Sequence, residues 1–509
     1  MWKAIGLLVT PRAAMVCMVV LLLVIVVATF DLYGFSPDAW NGLARAAGVH
    51  RFLTSGGTEL AFVEEFIHTK FYGAMPDVLA LFLQKWLPFL GFDSRHLVAA
   101  LFGVVGIFYA YRLADYLAGG WAGPVAAALL ALNPMWFGYM FINMKDIPFA
   151  VGFLALSYHG LRLLADEARP SWRTWLGVGV WSGLLATTKL LGLPMAGVAI
   201  LVLFVFVWIE RRQFSLRAIA LRLVGAAGAT AVGIVVCSAL FWPQLFLYQP
   251  DQILQVLRTF LNFTPWNGSV FVDGTFYPAD QVPRTYVITY FAISMPLVIT
   301  ALYLLAGPLA LWRGRISLLG PVLVPVVFLI VQAVLYSRVY NGYRHFIFLI
   351  PFIMIAAGFA ISILATISRH FAYRAAVLGL LAVFASTMIY NTVRLFPYQY
   401  SSYNLLVGGT SGAQGRYYID VWKLAVREAL QRIEKAAAPD ARITVYSCGS
   451  RVNFSGLPHV QIVEREQMNL AAFVVALPRH CTVDNYPGYK LVGEVKRGDV
   501  VFASILARP

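Results

Sequence analysis

The sequence predicts a mainly α protein. It reads as a polytopic bundle of about eleven membrane-spanning helices, with further helices lying in the interface and a small α/β domain at the C-terminal end. Three observations predict this. Sixty per cent of the 509 residues are hydrophobic and 12% are charged, with mean hydropathy +0.73, more apolar surface than a water-soluble chain of this length can cover. The apolar residues fall in blocks of about 18 to 25, the length a helix needs to cross the hydrocarbon core. The basic residues stand between those blocks. The net charge of +15 therefore reads as membrane sidedness, and a nucleic-acid partner is excluded.

In chain order, the first apolar run is Ala13–Phe30, preceded by Arg12 and followed directly by Asp31. A signal peptide is the competing reading, but no small-x-small cleavage site follows, so the run is expected to be an uncleaved span. The spans are expected at 13–30, 96–115, 122–140, 147–165, 174–190, 192–209, 222–242, 287–311, 317–336, 346–367 and 374–392. Between the first two, Ser36-Pro37-Asp38 is a helix start, with Trp40, Leu43, Ala44 and Ala47 on one face and Gly48 able to end it. Thr58–Lys70 is a second amphipathic stretch, and Met75–Phe89, which holds Asp77, Gln84 and Lys85, is a third. Pro243–Tyr286 combines an amphipathic stretch over Gln252–Phe263 with a loop rich in Gly, Pro and Asn from Pro265 to Pro283. The tail is less apolar. Val421–Lys435 reads as an amphipathic helix, and Arg442–Tyr446, Ala472–Ala476 and Val500–Ile505 as short strands. The domains are therefore expected at 1–392, in the membrane, and 393–509, outside it.

Charge orients the bundle. With the N-terminus inside, the inner ends hold 14 basic residues (Lys3, Arg12, Arg112, Arg162, Arg169, Arg173, Arg211, Arg212, Arg217, Arg222, Arg313, Arg315, Arg369 and Arg374), and the short outer loops hold four, Lys145, Lys189, Arg338 and Arg344. An odd number of spans then puts the tail outside. Cys17 and Cys237 lie in apolar runs; Cys448 and Cys481 lie in the tail and can pair if that side is oxidising.

Ionisable groups at membrane depth are costly, and each is weighed against simple interface anchoring. Asp31 ends span one beneath the amphipathic segments, where a general base could act on a lipid-linked substrate. Asp38 is seven residues on, in a first helical turn that favours acids in any case. Asn143-Met144-Lys145-Asp146-Ile147-Pro148 puts a charge pair at the same level; its bland alternative is a surface pair worth little. Tyr340-Asn341-Gly342-Tyr343-Arg344-His345 sets Arg344 and His345 where they can hold a phosphate or anchor headgroups. Lys189, in an apolar stretch, either snorkels or reaches a bound anion. No phosphate-binding glycine pattern or Cys/His zinc spacing is present, so a leaving group would be a lipid phosphate before a nucleotide.

These stretches resemble the polytopic GT-C glycosyltransferases, and within them the bacterial family-39-like enzymes, the class that includes protein O-mannosyltransferases and aminoarabinose transferases. The resemblance rests on Phe30-Asp31, Phe71-Tyr72-Gly73, Arg95-His96-Leu97, Asn143 to Phe149, Tyr340 to His345, Pro397-Tyr398-Gln399-Tyr400, Tyr403-Asn404, Gly408-Gly409, Gly412-Ala413 and Asp420-Val421-Trp422, in order over residues 25–425. It implies an inverting transfer of a sugar from a polyprenyl-phosphate donor to a glycolipid, polysaccharide or protein acceptor on the outer side of the inner membrane. It places the base on Asp31, a supporting acid on Asp146, and the phosphate on Lys145 and Arg344. Members often carry Glu after the first Asp, where this chain has Leu32, and Asp-Tyr-Trp-Gly in the tail, where it has Asp420-Val421-Trp422-Lys423; Asp38 is therefore the alternative base. Membrane lipids are the other expected partners. No cofactor or metal is expected: some enzymes of the class use a divalent ion, but no dense carboxylate cluster is evident. A flippase for lipid-linked saccharide and a non-catalytic assembly protein are the competing functions. The first would show paired halves with broken spans; the second would need neither Asp31 nor Asp38.

Overall fold

The computed structural model describes residues 10–59, 72–166, 169–211, 215–261, 268–335, 338–339, 342–436, 442–448, 457, 459–478 and 481–509. The expected stretch Thr58–Lys70 falls almost wholly outside these, as do Lys3, Arg212, Tyr340 and Asn341.

The apolar runs become helices because only a helix satisfies its own backbone in lipid. In order they are α1 (Pro11–Thr29), the short α2 (Asp38–Thr54) and α3 (Met75–Trp86), α4 (Ser94–Ala118), α5 (Ala122–Leu132), α6 (Pro134–Ile142), α7 (Asp146–Ala165), α8 (Trp172–Ala186), α9 (Gly192–Arg211), α10 (Leu216–Phe241) and the amphipathic α11 (Pro250–Leu261). There follow α12 (Tyr286–Ser294), α13 (Leu297–Trp312), α14 (Leu319–Leu335), α15 (Ile350–Leu364) and α16 (Phe371–Arg394). Among the described residues, eight helices are long and apolar enough to cross a bilayer, or ten if each of two bent pairs counts as one span.

The differences from the expected eleven have local causes. The expected spans 122–140 and 287–311 are broken, bending by 66° between α5 and α6 and by 113° between α12 and α13. Each break sits before a proline, Pro134 and Pro296, which holds the preceding residue extended (Asn133 ψ 116°, Met295 ψ 133°). At the first break the Asn133 side chain accepts from Trp136 N at 3.0 Å and restarts the helix. The expected span 174–190 is only α8, 15 residues or about 22 Å at 1.5 Å per residue. It stops at Thr187-Thr188, whose hydroxyls bond back to the carbonyls of Gly183 and Leu184, and so leaves Lys189 short of the helix.

α4, α7 and α15 are the buried heart of the bundle, and α1, α10 and α16 are its lipid-facing periphery. α8 meets α10 backbone to backbone. A Cβ on Gly183 would lie 2.2 Å from the carbonyl oxygen of Gly233, and one on Gly233 would lie 1.8 Å from that of Gly179. Small residues are what allow such an approach in lipid. Gly233→Leu is therefore expected to force α8 and α10 apart and to cost at least the ~1–3 kcal/mol of an overpacked core. A lowered unfolding temperature in detergent is the readout, with Gly228→Leu, at an open position of α10, as the neutral control.

Two regions outside the bundle differ from expectation. The expected loop 265–283 contains a hairpin, β1 (Ser269–Val272) and β2 (Thr275–Pro278), turning at Asp273-Gly274 with φ of 45° and 82°; an Asp-Gly pair with both residues at positive φ is a tight hairpin turn. The tail adds α17 (Ala425–Ala436) and a mixed sheet of β3 (Ile443–Ser447), β4 (Val460–Val463), β5 (Phe473–Ala476), β6 (Lys490–Arg497) and β7 (Val500–Ala507) in the order β4-β3-β5-β7-β6. Cys448 and Cys481 are joined by a disulfide. The sheet packs on the bundle where Tyr398, just after α16, stacks on Phe502 of β7 with centroids 4.3 Å apart.

Candidate active site

The segment after α1 delivers the first carboxylate. Arg427 of α17 donates to the carbonyl of Tyr33 at 2.7 Å and to both carboxylate oxygens of Asp93 at 2.7 and 2.9 Å, and it lies over the Phe35 ring. Gly34 passes so close to the tail that a Cβ there would sit 2.1 Å from the carbonyl oxygen of Leu424. Residues 33–37 are thereby clamped between bundle and tail, and α2 begins with Asp38 facing inward. Asp38 Oδ2 lies 3.3 Å from Arg344 Nη1 and 3.9 Å from Lys145 Nζ. Its side chain is 38% exposed, and it lines the cavity. Burial alone would raise its pKa, but the charges of Lys145 and Arg344 outweigh that and hold the carboxyl below the ordinary range.

The α6–α7 turn delivers the second. Asn143 Oδ1 accepts from the backbone N–H of Lys145 (3.2 Å) and Asp146 (2.8 Å), while its amide donates to Asp146 Oδ2 at 2.9 Å. This side-chain-built turn fixes adjacent Lys145 and Asp146 in different directions. Lys145 faces Asp38; Asp146 pairs with Lys189, which the early end of α8 has left at this depth. Arg344, at the start of the helical segment into α15, is buried and lies over the indole of Trp422 with its Cζ 4.5 Å from the ring centroid. Asp420 holds that indole's loop by accepting from the backbone N–H of Leu424 and Ala425, both at 2.9 Å, and from the Tyr400 hydroxyl. Burial pushes the Asp420 carboxyl upward.

These groups surround one cavity of about 630 Å³, counting its open mouth. Beside it runs a mostly apolar groove of about 1110 Å³ with Phe149, Leu191, Met195, Phe328, Leu335 and Phe348 in its walls. Tyr72, Lys189 and His345 line both, so the groove opens onto the charged cavity through them.

Of the sequence-predicted residues, the structure brings together Asp38, Lys145, Asp146, Lys189, Arg344 and His345, and it leaves Asp31 out. Asp31 sits in the 3-10 turn Phe30–Leu32, exposed, and does not line the cavity. The turn is followed by extended chain that buries Tyr33 and Phe35, and only then does Asp38 point into the site. That placement accords with the departure noted at Leu32.

Sequence reasoning missed the wall behind the cations. Asp77 of α3 accepts from Arg45 of α2 at 3.3 Å and from Arg95 of α4 at 2.5 Å, and all three are at most 5% exposed. The second terminal nitrogen of Arg95 is buried with no hydrogen-bond partner among the described residues, and Arg95 lines the cavity. Counting this triad, three carboxylates (Asp38, Asp77, Asp146) face five cations (Arg45, Arg95, Lys145, Lys189, Arg344). Among the described residues the region is thus a pre-built seat for an anion. No group of three or more His, Cys, Asp or Glu side chains gathers as a metal site among them.

A charged cavity, with carboxylates set among a surplus of cations, thus lies at the end of the helical bundle and joins an apolar groove. Residues 88–254 match the family model described as dolichyl-phosphate-mannose-protein mannosyltransferase. The whole fold is similar to two crystal structures of ArnT from Cupriavidus metallidurans. The apo state is 15% identical, with 97% of this chain and 98% of that chain covered and a TM-score of 0.51. The form bound to undecaprenyl phosphate is 14% identical, with 97% of each chain covered and a TM-score of 0.54. A search of curated proteins gives no match.

Proposed function

We propose that the protein transfers a sugar from a polyprenyl-phosphate donor to an acceptor on the outer side of the cytoplasmic membrane, with inversion, and that Asp38 is the general base. In this reading the N-terminus is inside and the C-terminal domain outside. The observation that carries the proposal is the junction at Tyr72, Lys189 and His345. An apolar groove suits a polyprenyl chain, and it ends where a surplus of cations suits that chain's phosphate. The similar ArnT structure bound to undecaprenyl phosphate supports the same donor class.

Each residue then has a task. Lys189, Lys145 and Arg344 hold the donor phosphate, with His345 at the groove mouth. Asp38 takes the proton from the acceptor hydroxyl as its oxygen attacks the anomeric carbon. The bond from that carbon to the phosphate oxygen breaks on the opposite face, and its electron pair leaves on the phosphate, where the cations stabilise it. Asp146 is a positioning residue: it holds the Lys189 ammonium at the junction.

Two outcomes test the site. Lys189→Met is expected to weaken retention of undecaprenyl phosphate about tenfold or more, the value of one charged hydrogen bond, with Lys189→Arg retaining most of it. Native mass spectrometry of nanodisc-embedded protein reads this, and equal retention by Lys189→Met would remove the donor assignment. The second outcome is a pH profile. Asp38 sits below the ordinary carboxylate range, so the acid limb of activity should fall below about pH 4. Burial lowers Lys145, so the alkaline limb should begin below the ordinary lysine value of about 10.4. An acid limb near pH 6 would point to a different base.

A further inference from the structure

A second large cavity stands apart from the charged site. It lies at the other end of the bundle, walled by Val125 of α5, Phe359 and Ile363 of α15, and Leu378 and Leu381 of α16, with a volume of about 1920 Å³ counting open space. Arg313 and Arg315 line it, and no acidic residue does among the described residues. The position follows from the helix directions: α15 starts at the active site and ends here, and Arg315 donates to the carbonyl of Leu117 at the far end of α4. Arg315 also pairs with Glu210 at 3.6 Å, whereas Arg313 lies exposed over the Trp312 ring at 4.4 Å.

We propose that this cavity is a binding site for one anionic phospholipid of the leaflet opposite the active site. Its acyl chains would lie between α16 and the α5–α15 wall and its phosphate against Arg313. Three observations carry the choice of occupant. The wall is apolar and the end is basic, which is the charge pattern of a lipid with an anionic headgroup. From Phe371 to Leu381 α16 rises about 15 Å, half of a hydrocarbon core of about 30 Å, so the space fits one leaflet. Finally, only 11% of the most apolar stretch of α16 is buried, and Met388 is its one buried side chain among the described residues, so the early part of this helix leaves room for a molecule beside the α5–α15 wall. The consequence reaches the site, because α16 leads through Pro397 and Tyr398 to Tyr400, which bonds Asp420 beside Trp422. The lipid would set the seat of the helix that carries those residues.

The test uses the full chain in nanodiscs containing equal phosphatidylcholine and phosphatidylglycerol, with lipids retained after extraction identified by native mass spectrometry. The wild type is expected to retain phosphatidylglycerol over phosphatidylcholine about fivefold, the preference of one arginine near a membrane surface. Arg313→Gln should bring the ratio to about one with unchanged thermal unfolding. Leu378→Trp, which fills the groove without touching the charge, should cut retention of both lipids. Equal retention of the two lipids by the wild type overturns the proposal, as does an unchanged ratio in Arg313→Gln. A homodimer that Leu378→Trp dissociates overturns it too, since a second copy would then be the occupant.

Discussion

Asp38→Asn is expected to lower sugar transfer by about 100- to 10,000-fold, the usual value of a positioned general base, while the protein stays folded in the membrane. The substitution keeps the shape of the side chain and removes its charge. Arg344 and Lys145, 3.3 and 3.9 Å from the Asp38 carboxylate, would lose its charge, and the surplus of positive charge in the cavity would grow by one. Donor binding should then be unchanged or tighter, so the fall should appear in kcat with no rise in KM for the donor. A merely structural Asp38 would act the other way, loosening α2 and raising KM. Asp31→Asn is the matched control, because Asp31 is exposed outside the cavity, and it should leave kcat within about twofold.

Asp77→Ala has the second large effect, on stability. Asp77 is 2% exposed and is shared by two guanidiniums that are themselves buried. Removing it leaves Arg45 and Arg95 facing one another without a counter-charge among the described residues where α2, α3 and α4 meet. Breaking a buried pair by deleting one partner costs about 3–5 kcal/mol, and here two cations are stranded. The expected result is loss of most folded protein from the membrane fraction, with whatever survives unfolding at a markedly lower temperature. Replacing all three members by apolar residues of similar volume (Arg45→Met, Asp77→Leu, Arg95→Met) should restore much of that stability. It should not restore activity, because Arg95 lines the cavity. A stable but active triple variant would show that Arg95 serves the fold alone.

The sequence made the membrane architecture legible because hydrocarbon imposes a strict rule on it: long apolar runs are helices, and charges mark their ends. The tally of basic residues also separated the two ends of the bundle. Lys145, Lys189 and Arg344 gather at one end, and Arg112, Arg162 and Arg222 meet Tyr158 and the end of α7 at the other. Two signals lie in the sequence itself: the prolines at 134 and 296, which break runs that read as continuous spans, and Asp273-Gly274, which turns a hairpin inside a stretch that reads as a loop. Other features had no local signal. Asp77 finds Arg45 across 32 positions, and Asp93 finds Arg427 across 334, and periodicity does not report such partners. The choice between Asp31 and Asp38 is of the same kind. Both are acids at the outer end of the first span, and only the clamp of Arg427 and Leu424 on residues 33–34 decides which one turns inward.

The central claim is that Asp38, flanked by Lys145 and Arg344, drives transfer from a lipid-phosphate donor. It is tested most directly by mass spectrometry of surface glycans and lipids from cells lacking the gene and complemented with the wild type, Asp31→Asn or Asp38→Asn at equal membrane abundance. The account predicts that the wild type and Asp31→Asn restore the same sugar-bearing product and that Asp38→Asn does not. Restoration by Asp38→Asn, or failure of Asp31→Asn, would contradict it.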